Sequence, residues 1–550
     1  MLLPSRRQLH ALSRDPRTLR QAVLIIAGAF FLTALWLGVN RRTSEGTPKS
    51  VIDQRGEALQ EVLLAKPLDR VAVVRVLRND ARRAAQWLDI ASEAMEDGNG
   101  EEQPGPDDPL PDDAAGIAFS ELPALLAGSD LTAAEQQGFR AYHEALLTKK
   151  IPPDLIRGLE GLAMPEAPEL PQTMAADLLR AKRDYQGALA AYEAVGVRPG
   201  ALEARRRAVD LAFNQGWDEV AARLLAQPAY YEAVHAVPDG LSDRVAEEQL
   251  DIKMLFRRTL AHTASSWKDP AYLLLSLLSA SVWFFSLHKA CRVPRHQWWL
   301  GLVGIPLGMF STVITLVLLS LQEARQGLAD SDAAGGALLF QIASVGLREE
   351  FSKLLCFLPL LFFLRKATPA QALMAASSVG LGFALEENVA YYYGDVGGGV
   401  VGRFITANFL HLAMTGLTGH ALFRFLRYPK NYGPAFIATF VCMVLVHGFY
   451  NYSLGGFDDA FSRELRYLVS FIVAGLAWFY FQTVRQEQDD APQNLSAEAV
   501  FLLGTTVLVG TLLNYLVWEG GWNNALHSII PAALSSVIFC WMFHYHLRNA

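Results

Sequence analysis

The sequence is poor in cysteine and has no excess of positive charge. Only four of its 550 residues are cysteines, and none of them lies before residue 291. A disulfide framework and a CxxC-type zinc site are therefore excluded for the first half of the chain. The formal net charge is -7, with 48 Lys and Arg against 55 Asp and Glu, which gives no reason to expect nucleic-acid binding.

Residues 41–268 also lack any apolar run long enough to cross a membrane. This segment is rich in Ala, Leu, Glu and Arg, a composition typical of soluble helices. Its acidic, Pro/Gly-rich part, 95–116, cannot bury enough apolar surface to fold and is predicted to be a linker. Within 173–230 two stretches align with an offset of 32 residues. They are typical either of TPR-like (tetratricopeptide-type) hairpins or of an irregular helical domain.

Long apolar runs are found at the start of the chain and throughout its second half. Residues 1–40 hold a basic head and an apolar run without a small-residue cleavage site, which predicts an uncleaved signal anchor, with a removed signal peptide as the alternative. Nine further candidate spans lie at 270–288, 298–320, 336–364, 370–393, 400–425, 434–453, 465–484, 498–517 and 526–546. We therefore expect an all-α, polytopic membrane helix bundle of about ten spans with an inserted soluble helical domain.

The charges of the connecting loops predict the orientation of these spans. Arginines before the first span place the N-terminus in the cytoplasm, and basic and less basic loops then alternate through seven of the later spans. The soluble domain, 41–268, is accordingly expected outside the cytoplasm. We predict a membrane core at 269–485, followed by two additional membrane helices within 486–550.

Polar residues interrupt four successive spans of this core. They are Glu349, Glu350 and Lys353, then Glu386, Glu387 and Asn388, then His411, then His447 and Asn451. A charged residue at the centre of a membrane helix costs roughly 2.5–3.5 kcal/mol, so these side chains must face one another or a watery cavity. Counting helical rise from the span ends puts the four groups at similar depth, in the outer half of the membrane. We expect them to form one site.

This set of residue types suits hydrolysis. A glutamate can take a proton from water while imidazole and amide donors stabilise the developing oxyanion. A second version has His411, His447 and Glu387 hold Zn²⁺ with an open position for water. A proton-coupled transporter or channel and a bis-histidine haem protein stay open as alternatives. Arg403, a charged residue within the fifth late span, is expected to snorkel toward the interface.

The order of these motifs resembles the PrsW family of intramembrane proteases, relatives of the type II CAAX prenyl endopeptidases. The motifs are EExxK at Glu349, FxxxEN ending at Glu387 and Asn388, His411, and HxxxN from His447 to Asn451. The resemblance implies that Glu349 activates water, supported by Glu350 and Lys353. It further implies that His411, His447 and Asn451 bind the water, the oxyanion or a metal. Glu387 and Asn388 stand where the CAAX relatives carry a histidine, and they are expected to support the site.

The resemblance also implies a cellular setting. We expect a multi-pass protein of the bacterial inner membrane that cleaves a membrane-anchored protein, anti-sigma-factor-like or another single-span protein. The soluble helical domain is expected to bind a further protein partner, and membrane lipid surrounds the core. Zn is the candidate cofactor of a metal-dependent version, whereas a glutamate mechanism needs none.

Overall fold

The computed structural model describes nine stretches of the chain, and within them every regular element is a helix. The described residues are 5–41, 59–60, 62–81, 122–237, 240–249, 251–324, 334–394, 397–454 and 460–550. The predicted linker at 95–116 lies outside these ranges. The all-α class predicted from the sequence is confirmed for the described residues.

The chain divides into two compact units. One comprises Met1–Glu45 together with Ala246–Ala550, and the other comprises Gly46–Val245. The second unit is helical at residues 70–81 and in α3 to α10. In chain order these helices are α3 (Leu122–Ala127), α4 (Ala133–Thr148), α5 (Pro153–Glu160), α6 (Leu170–Ala181), α7 (Tyr185–Gly196), α8 (Leu202–Asn214), α9 (Asp218–Leu225) and α10 (Pro228–His235). They follow α1 (Arg6–Arg14) and α2 (Pro16–Arg41) of the first unit.

Helices α6 to α9 form two successive helix–turn–helix pairs in the region where the aligned stretches were found. Each turn contains a residue with positive φ, Arg183 in the first pair and Gly216 in the second, because a left-handed residue ends a helix sharply. Tyr192 and Leu224, which the alignment matches, are both fully buried. The structure therefore supports repeated helical hairpins, whereas their assignment to the tetratricopeptide type is not confirmed.

A buried polar network holds this unit together. The Asp177 carboxylate accepts hydrogen bonds from Tyr142 and Tyr192 and forms an ion pair with Arg207. Arg207 also contacts Glu203 at 3.1 Å, and its side chain is only 2% exposed. A buried charge is tolerated only when it is paired and hydrogen-bonded. Here Arg207 is paired with two carboxylates, and one of them, Asp177, also accepts hydrogen bonds from two tyrosine hydroxyls.

The first unit contains the apolar helices. Helix α11 (Gly240–Glu248) contains the boundary between the units, after Val245. The first unit continues with α12 (Ile252–Ser266), α13 (Pro270–Ala290), α14 (Trp298–Ala324), α15 (Ala334–Phe340), α16 (Leu347–Phe363), α17 (Pro369–Gly394), α18 (Gly397–Ile405), α19 (Ala407–Arg427), α20 (Pro429–Leu454), α21 (Ala460–Glu487) and α22 (Ala497–Arg548).

Six stretches of the described chain are long and apolar enough to cross a membrane: Pro16–Val39, Pro270–Ala290, Arg295–Gln322, Gly399–Arg427, Pro429–Ser453 and Ala497–Arg548. A multi-pass membrane protein is thus supported, but the predicted count of ten spans is not confirmed.

Two of the predicted spans are broken by irregular backbone. The long run at 336–364 is α15, a π-helical segment at Gln341–Gly346 and α16 in succession. The run at 400–425 is interrupted at Thr406, between α18 and α19. Helix α22 is also bent, because Gly521 adopts φ 79 and ψ 176 inside it. This bend separates two apolar halves that correspond to the last two predicted spans.

An aromatic cluster forms part of the core of this unit. Trp283 of α13 is 1% exposed and packs against Phe404, Phe409, Phe501 and Phe543, with ring centroids 4.9–5.9 Å apart. Its indole nitrogen donates to the carbonyl oxygen of Phe404 at 2.7 Å, so its polar atom is satisfied. The cluster ties α13, α18, α19 and α22 together around one buried side chain.

Glycines allow the helices beside this core to approach closely. A Cβ atom at Gly308 of α14 would lie 1.9 Å from the carbonyl oxygen of Val379 on α17. A Cβ atom at Gly380 of α17 would lie 2.1 Å from the carbonyl oxygen of His411 on α19. Close backbone contact at small residues is the usual way in which membrane helices associate. It fixes α17 between α14 and α19.

Candidate active site

The first two turns of α16 carry three buried ionisable side chains. Glu349, Glu350 and Lys353 are 7%, 2% and 0% exposed, respectively. The π-helical segment Gln341–Gly346 ends directly before this helix. Such segments often mark functional sites, because the extra residue in the wide turn changes the direction of the side chains that follow.

Lys353 lies at the centre of the cluster. Its Nζ is 2.8 Å from Glu350 Oε1 and 3.5 Å from Glu349 Oε2. The same atom is 2.8 Å from His411 Nδ1 of α19 and lies 4.0 Å from the centroid of the Phe383 ring. One buried ammonium group therefore contacts two carboxylates and an imidazole.

His447 of α20 contacts both glutamates from the other side. Its Nδ1 is 2.9 Å from Glu350 Oε1, and its Nε2 is 3.3 Å from Glu349 Oε2. Glu350 is thus held by an ammonium group and an imidazole. Glu349 Oε2 is buried and has no hydrogen-bond partner among the described residues. Of the two carboxylates, Glu349 is therefore the one with an oxygen that makes no hydrogen bond and can accept a proton from a water molecule.

His411 is oriented by a second group of polar residues. Its Nε2 lies 3.0 Å from Glu387 Oε2 of α17, and Arg403 of α18 contacts that same oxygen at 2.6 Å. Arg403 also donates to Asn388 Oδ1 at 2.7 Å, and its guanidinium lies 3.8 Å from the centre of the Tyr391 ring. The expectation that Arg403 snorkels is therefore wrong: its side chain is 17% exposed and points at Glu387.

Asn388 and Asn451 differ in how closely they join this group. Asn388 is fully buried and donates to Asn408 Oδ1 at 2.6 Å, so it supports Arg403. Asn451 lies one turn beyond His447, is half-buried, and makes no hydrogen bond to any residue in the described part of the chain. Its side chain is available to a ligand.

Glu386 points away from the cluster. Both of its carboxylate oxygens accept from the Trp267 indole nitrogen, at 3.0 and 2.9 Å. The two adjacent glutamates of α17 thus have separate surroundings.

A metal ion can be accommodated by part of this arrangement. Glu349, His411 and His447 each offer one ligand atom, and these atoms lie within 4.8 Å of one another. Two imidazoles and a carboxylate are a ligand set typical of catalytic zinc, and the free Glu349 oxygen fits that use. The sequence prediction had placed Glu387 in this set. In the structure Glu387 contacts the ring of His411, which is the position of a carboxylate that orients a metal-binding histidine.

Sequence reasoning did not assign Arg403 to the site. It lies on a different helix from Glu387 and is separated from His411 by the break at Thr406. No spacing rule connects residues across such a break. The signal available in the sequence was its charge alone, an arginine within a predicted apolar span.

The cluster contains a buried glutamate with an oxygen that makes no hydrogen bond, two histidines and a lysine, and it lies among apolar helices. These are the groups that an intramembrane hydrolase needs. Comparison with known families agrees with this class. Residues 296–479 match the family model described as PrsW family intramembrane metalloprotease. No curated protein and no solved structure matches the chain.

The matched segment contains every residue of the cluster, from Glu349 to Asn451. The resemblance stated from the sequence is therefore confirmed, and the match supports an intramembrane peptidase in general. It does not favour the transporter alternative.

Proposed function

We propose that this protein is an intramembrane endopeptidase that hydrolyses a peptide bond of a membrane-anchored protein substrate. The observation that carries the proposal is the convergence of α16, α19 and α20 on one buried cluster in which Glu349 Oε2 lies near Lys353 and His447 but makes no hydrogen bond. Packing alone does not account for so many ionisable side chains in an apolar setting, because each is costly to bury.

In this mechanism Glu349 takes a proton from a water molecule, and the water oxygen attacks the scissile carbonyl carbon. Negative charge develops on the carbonyl oxygen, where an imidazole N–H of His447 and the Asn451 amide can donate hydrogen bonds. The C–N bond then breaks, and the proton held by Glu349 passes to the leaving amine. Glu350 and Lys353 hold Glu349 and His447 in place, and Glu387 with Arg403 orients His411.

A metal-dependent version uses the same residues differently. Glu349, His411 and His447 would hold the ion, Zn being the candidate, and the ion would supply Lewis-acid activation of a water molecule. Glu350, which contacts both Lys353 and His447, would remain beside these three ligands without binding the ion. The two versions differ in whether the active protein contains a bound metal ion.

The depth of the cluster favours cleavage near the outer half of the bilayer. Glu387 and His447 each lie eighteen residues beyond the first residue of their helix, Pro369 and Pro429. At the rise of an α-helix this is about 27 Å, close to the full thickness of the hydrocarbon core. With the orientation predicted from loop charges, both helices start on the cytoplasmic side. We accordingly propose a multi-pass protein of the bacterial inner membrane with ten spans and its soluble domain outside the cytoplasm.

The substrate we propose is a single-span protein, anti-sigma-factor-like or similar, that reaches the cluster from the lipid. The soluble unit, with its helical hairpins, is proposed to bind a protein partner. Both proposals follow from the position of the site among apolar helices and from the presence of a separate helical unit.

The test is a cleavage assay with a candidate single-span substrate in lipid vesicles. Glu349→Gln and His447→Ala are expected to lower the cleavage rate by about 10²–10⁴-fold, because each removes a group that acts in the transition state. His420→Ala is the matched control, since His420 lies on α19 but faces Glu487 at 3.5 Å. Near-normal cleavage by both folded site variants would contradict the proposal.

Metal analysis of the same preparations separates the two versions. Stoichiometric zinc in the wild type, lost in His447→Ala and removed together with activity by a chelator, would establish the metal version. Activity that survives chelation in metal-free protein would establish the glutamate version.

A further inference from the structure

A cavity lies where α16 and α19 end, away from the cluster. Its volume is about 380 Å³. The walls are apolar side chains of both helices, among them Leu361, Phe362, Phe423 and Leu426, and two arginines, Arg365 and Arg427, complete the lining. Phe362 and Leu426 are 62% and 55% exposed, so the cavity opens toward the lipid-facing surface of the bundle.

The two arginines are held in place without being neutralised. The Arg365 guanidinium lies 4.5 Å from the centre of the Phe362 ring, and that of Arg427 lies 4.7 Å from the centre of the Phe423 ring. Arg427 also donates to the carbonyl oxygen of Arg365 at 2.9 Å. Neither guanidinium forms an ion pair with a carboxylate in the described chain. Two exposed arginines without a carboxylate partner among the described residues therefore line the cavity.

The sequence around the cavity places it at the level of lipid headgroups. Apolar residues precede both arginines, Phe362 and Phe363 on one helix and Phe425 and Leu426 on the other, and further cations, Lys366 and Lys430, follow. Basic residues at the end of a membrane helix, next to apolar side chains, mark the boundary between hydrocarbon and water. A ligand bound here would meet charge at one end and apolar surface at the other.

We propose that this cavity binds an anionic phospholipid. The lipid phosphate would accept hydrogen bonds from Arg365 and Arg427, and the first part of an acyl chain would lie against Leu361, Phe423 and Leu426. Guanidinium groups suit phosphate because they offer several donors in a planar fork. The apolar wall favours a lipid over a free phosphate ion, because a phosphate ion has no apolar surface to bury against that wall. Basic cavities between membrane helices are known to select such headgroups.

The experiment measures binding of short-chain phosphatidylglycerol and of phosphatidylcholine with the same chains to the purified full-length protein in detergent. The wild type is expected to prefer phosphatidylglycerol by about tenfold to thirtyfold, because both headgroups carry a phosphate but the choline ammonium group of phosphatidylcholine cancels its charge beside the two arginines. Arg365→Gln with Arg427→Gln is expected to abolish that preference. Lys366→Gln with Lys430→Gln removes the same charge beside the cavity without changing its lining, and it is expected to keep the preference.

A third variant tests the apolar wall. Leu426→Trp is expected to weaken phosphatidylglycerol binding by filling the cavity while both arginines remain. If the lysine variant lost the preference for phosphatidylglycerol as fully as the arginine variant, the proposal would be overturned. The preference would then come from diffuse electrostatic attraction to the basic surface. Displacement of bound lipid by millimolar inorganic phosphate, or normal binding by Leu426→Trp, would overturn it in favour of a simple anion site. Thermal unfolding of each variant verifies that the fold is retained.

Discussion

Single residues in the candidate site are defined by the partners that other helices bring to them. Lys353 is fully buried, and it is tolerated because Glu350 and Glu349 neutralise it and His411 accepts from it. Removing one member of a buried charged group typically costs more than the group contributes as a whole, since the remaining charge loses its partner. The site residues are therefore coupled, and single substitutions will affect stability as well as chemistry.

In the second unit, Gly46–Val245, Glu135 is a residue whose charge should make stability depend on pH. Burial raises the pKa of the Glu135 carboxyl, but hydrogen bonds from Arg70 and from Thr132 outweigh burial and bring the pKa below its usual 4.5. The folded state therefore favours the ionised carboxylate. Its contribution is complete above pH 4.5 and is lost as the pH falls through the lower, folded pKa.

Glu135→Gln should accordingly lower the local stability of α4 at neutral pH by about 1.5–3 kcal/mol, the value of a hydrogen bond to a charged group. It should also flatten the loss of stability below pH 5. Hydrogen exchange of peptides covering 133–148 in the full chain, corrected for intrinsic rates, measures both effects. Glu144→Gln, an exposed change on the same helix, should leave exchange unaltered, and an equal effect there would refute the assignment to Glu135.

Among the helices, the contact between α17 and α19 sets the distance between Glu387 and His411. Gly380→Ala would place a Cβ atom 2.1 Å from the carbonyl oxygen of His411, so the two helices would have to separate. We expect a loss of about 1–3 kcal/mol in stability, typical of overpacking, together with reduced cleavage. Thermal unfolding and the vesicle assay measure these two effects.

Gly475→Ala on α21 is the matched control for this change, because no atom lies within 4 Å of the new Cβ atom. Alanine is also the better helix former, so this variant should be as stable as the wild type or slightly more stable. If Gly380→Ala behaved in the same way, close contact between α17 and α19 would not be what positions His411.

The end of α12 is joined to α17 by the Trp267–Glu386 hydrogen bonds. Trp267→Phe keeps an aromatic ring but leaves the buried Glu386 carboxylate without its donor, which should cost about 1–3 kcal/mol. Trp267→Phe combined with Glu386→Met removes both polar partners and should recover most of the loss. The double-mutant cycle is measured by thermal unfolding, and failure of the second change to rescue the first would show that the hydrogen bonds contribute little.

At the scale of the whole molecule, the chain consists of two units with separate cores. The second unit, Gly46–Val245, has its own buried apolar clusters around Phe139 and Phe213. It also contains the Asp177 network. A segment with its own core and satisfied buried polar groups can fold independently.

A fragment of residues 46–245 should therefore be soluble and helical, with one cooperative thermal transition by circular dichroism. Asp177→Ala should lower its stability by about 3–5 kcal/mol, because Arg207 would keep a buried charge with fewer partners. Asp154→Ala changes an exposed ion pair, so its effect should be close to zero. A fragment without a cooperative transition would mean that the second unit needs the first unit to fold.

The sequence by itself determined the class of this protein and the residue types of its site. Apolar runs, loop charges and polar interruptions are local properties, and each is visible without knowing which helices touch. They predicted an all-helical membrane protein with a soluble insertion, and they selected Glu349, His411 and His447 as candidates for one site.

Only the tertiary structure decided which of these residues meet. It grouped Glu349 rather than Glu387 with the two histidines, turned Glu386 toward Trp267, and brought Arg403 to Glu387 across the break at Thr406. Helical spacing gives the direction of a side chain around its own axis, but not which neighbouring helix lies in that direction. That neighbour is set by the close glycine contacts and irregular turns that fix how the helices pack.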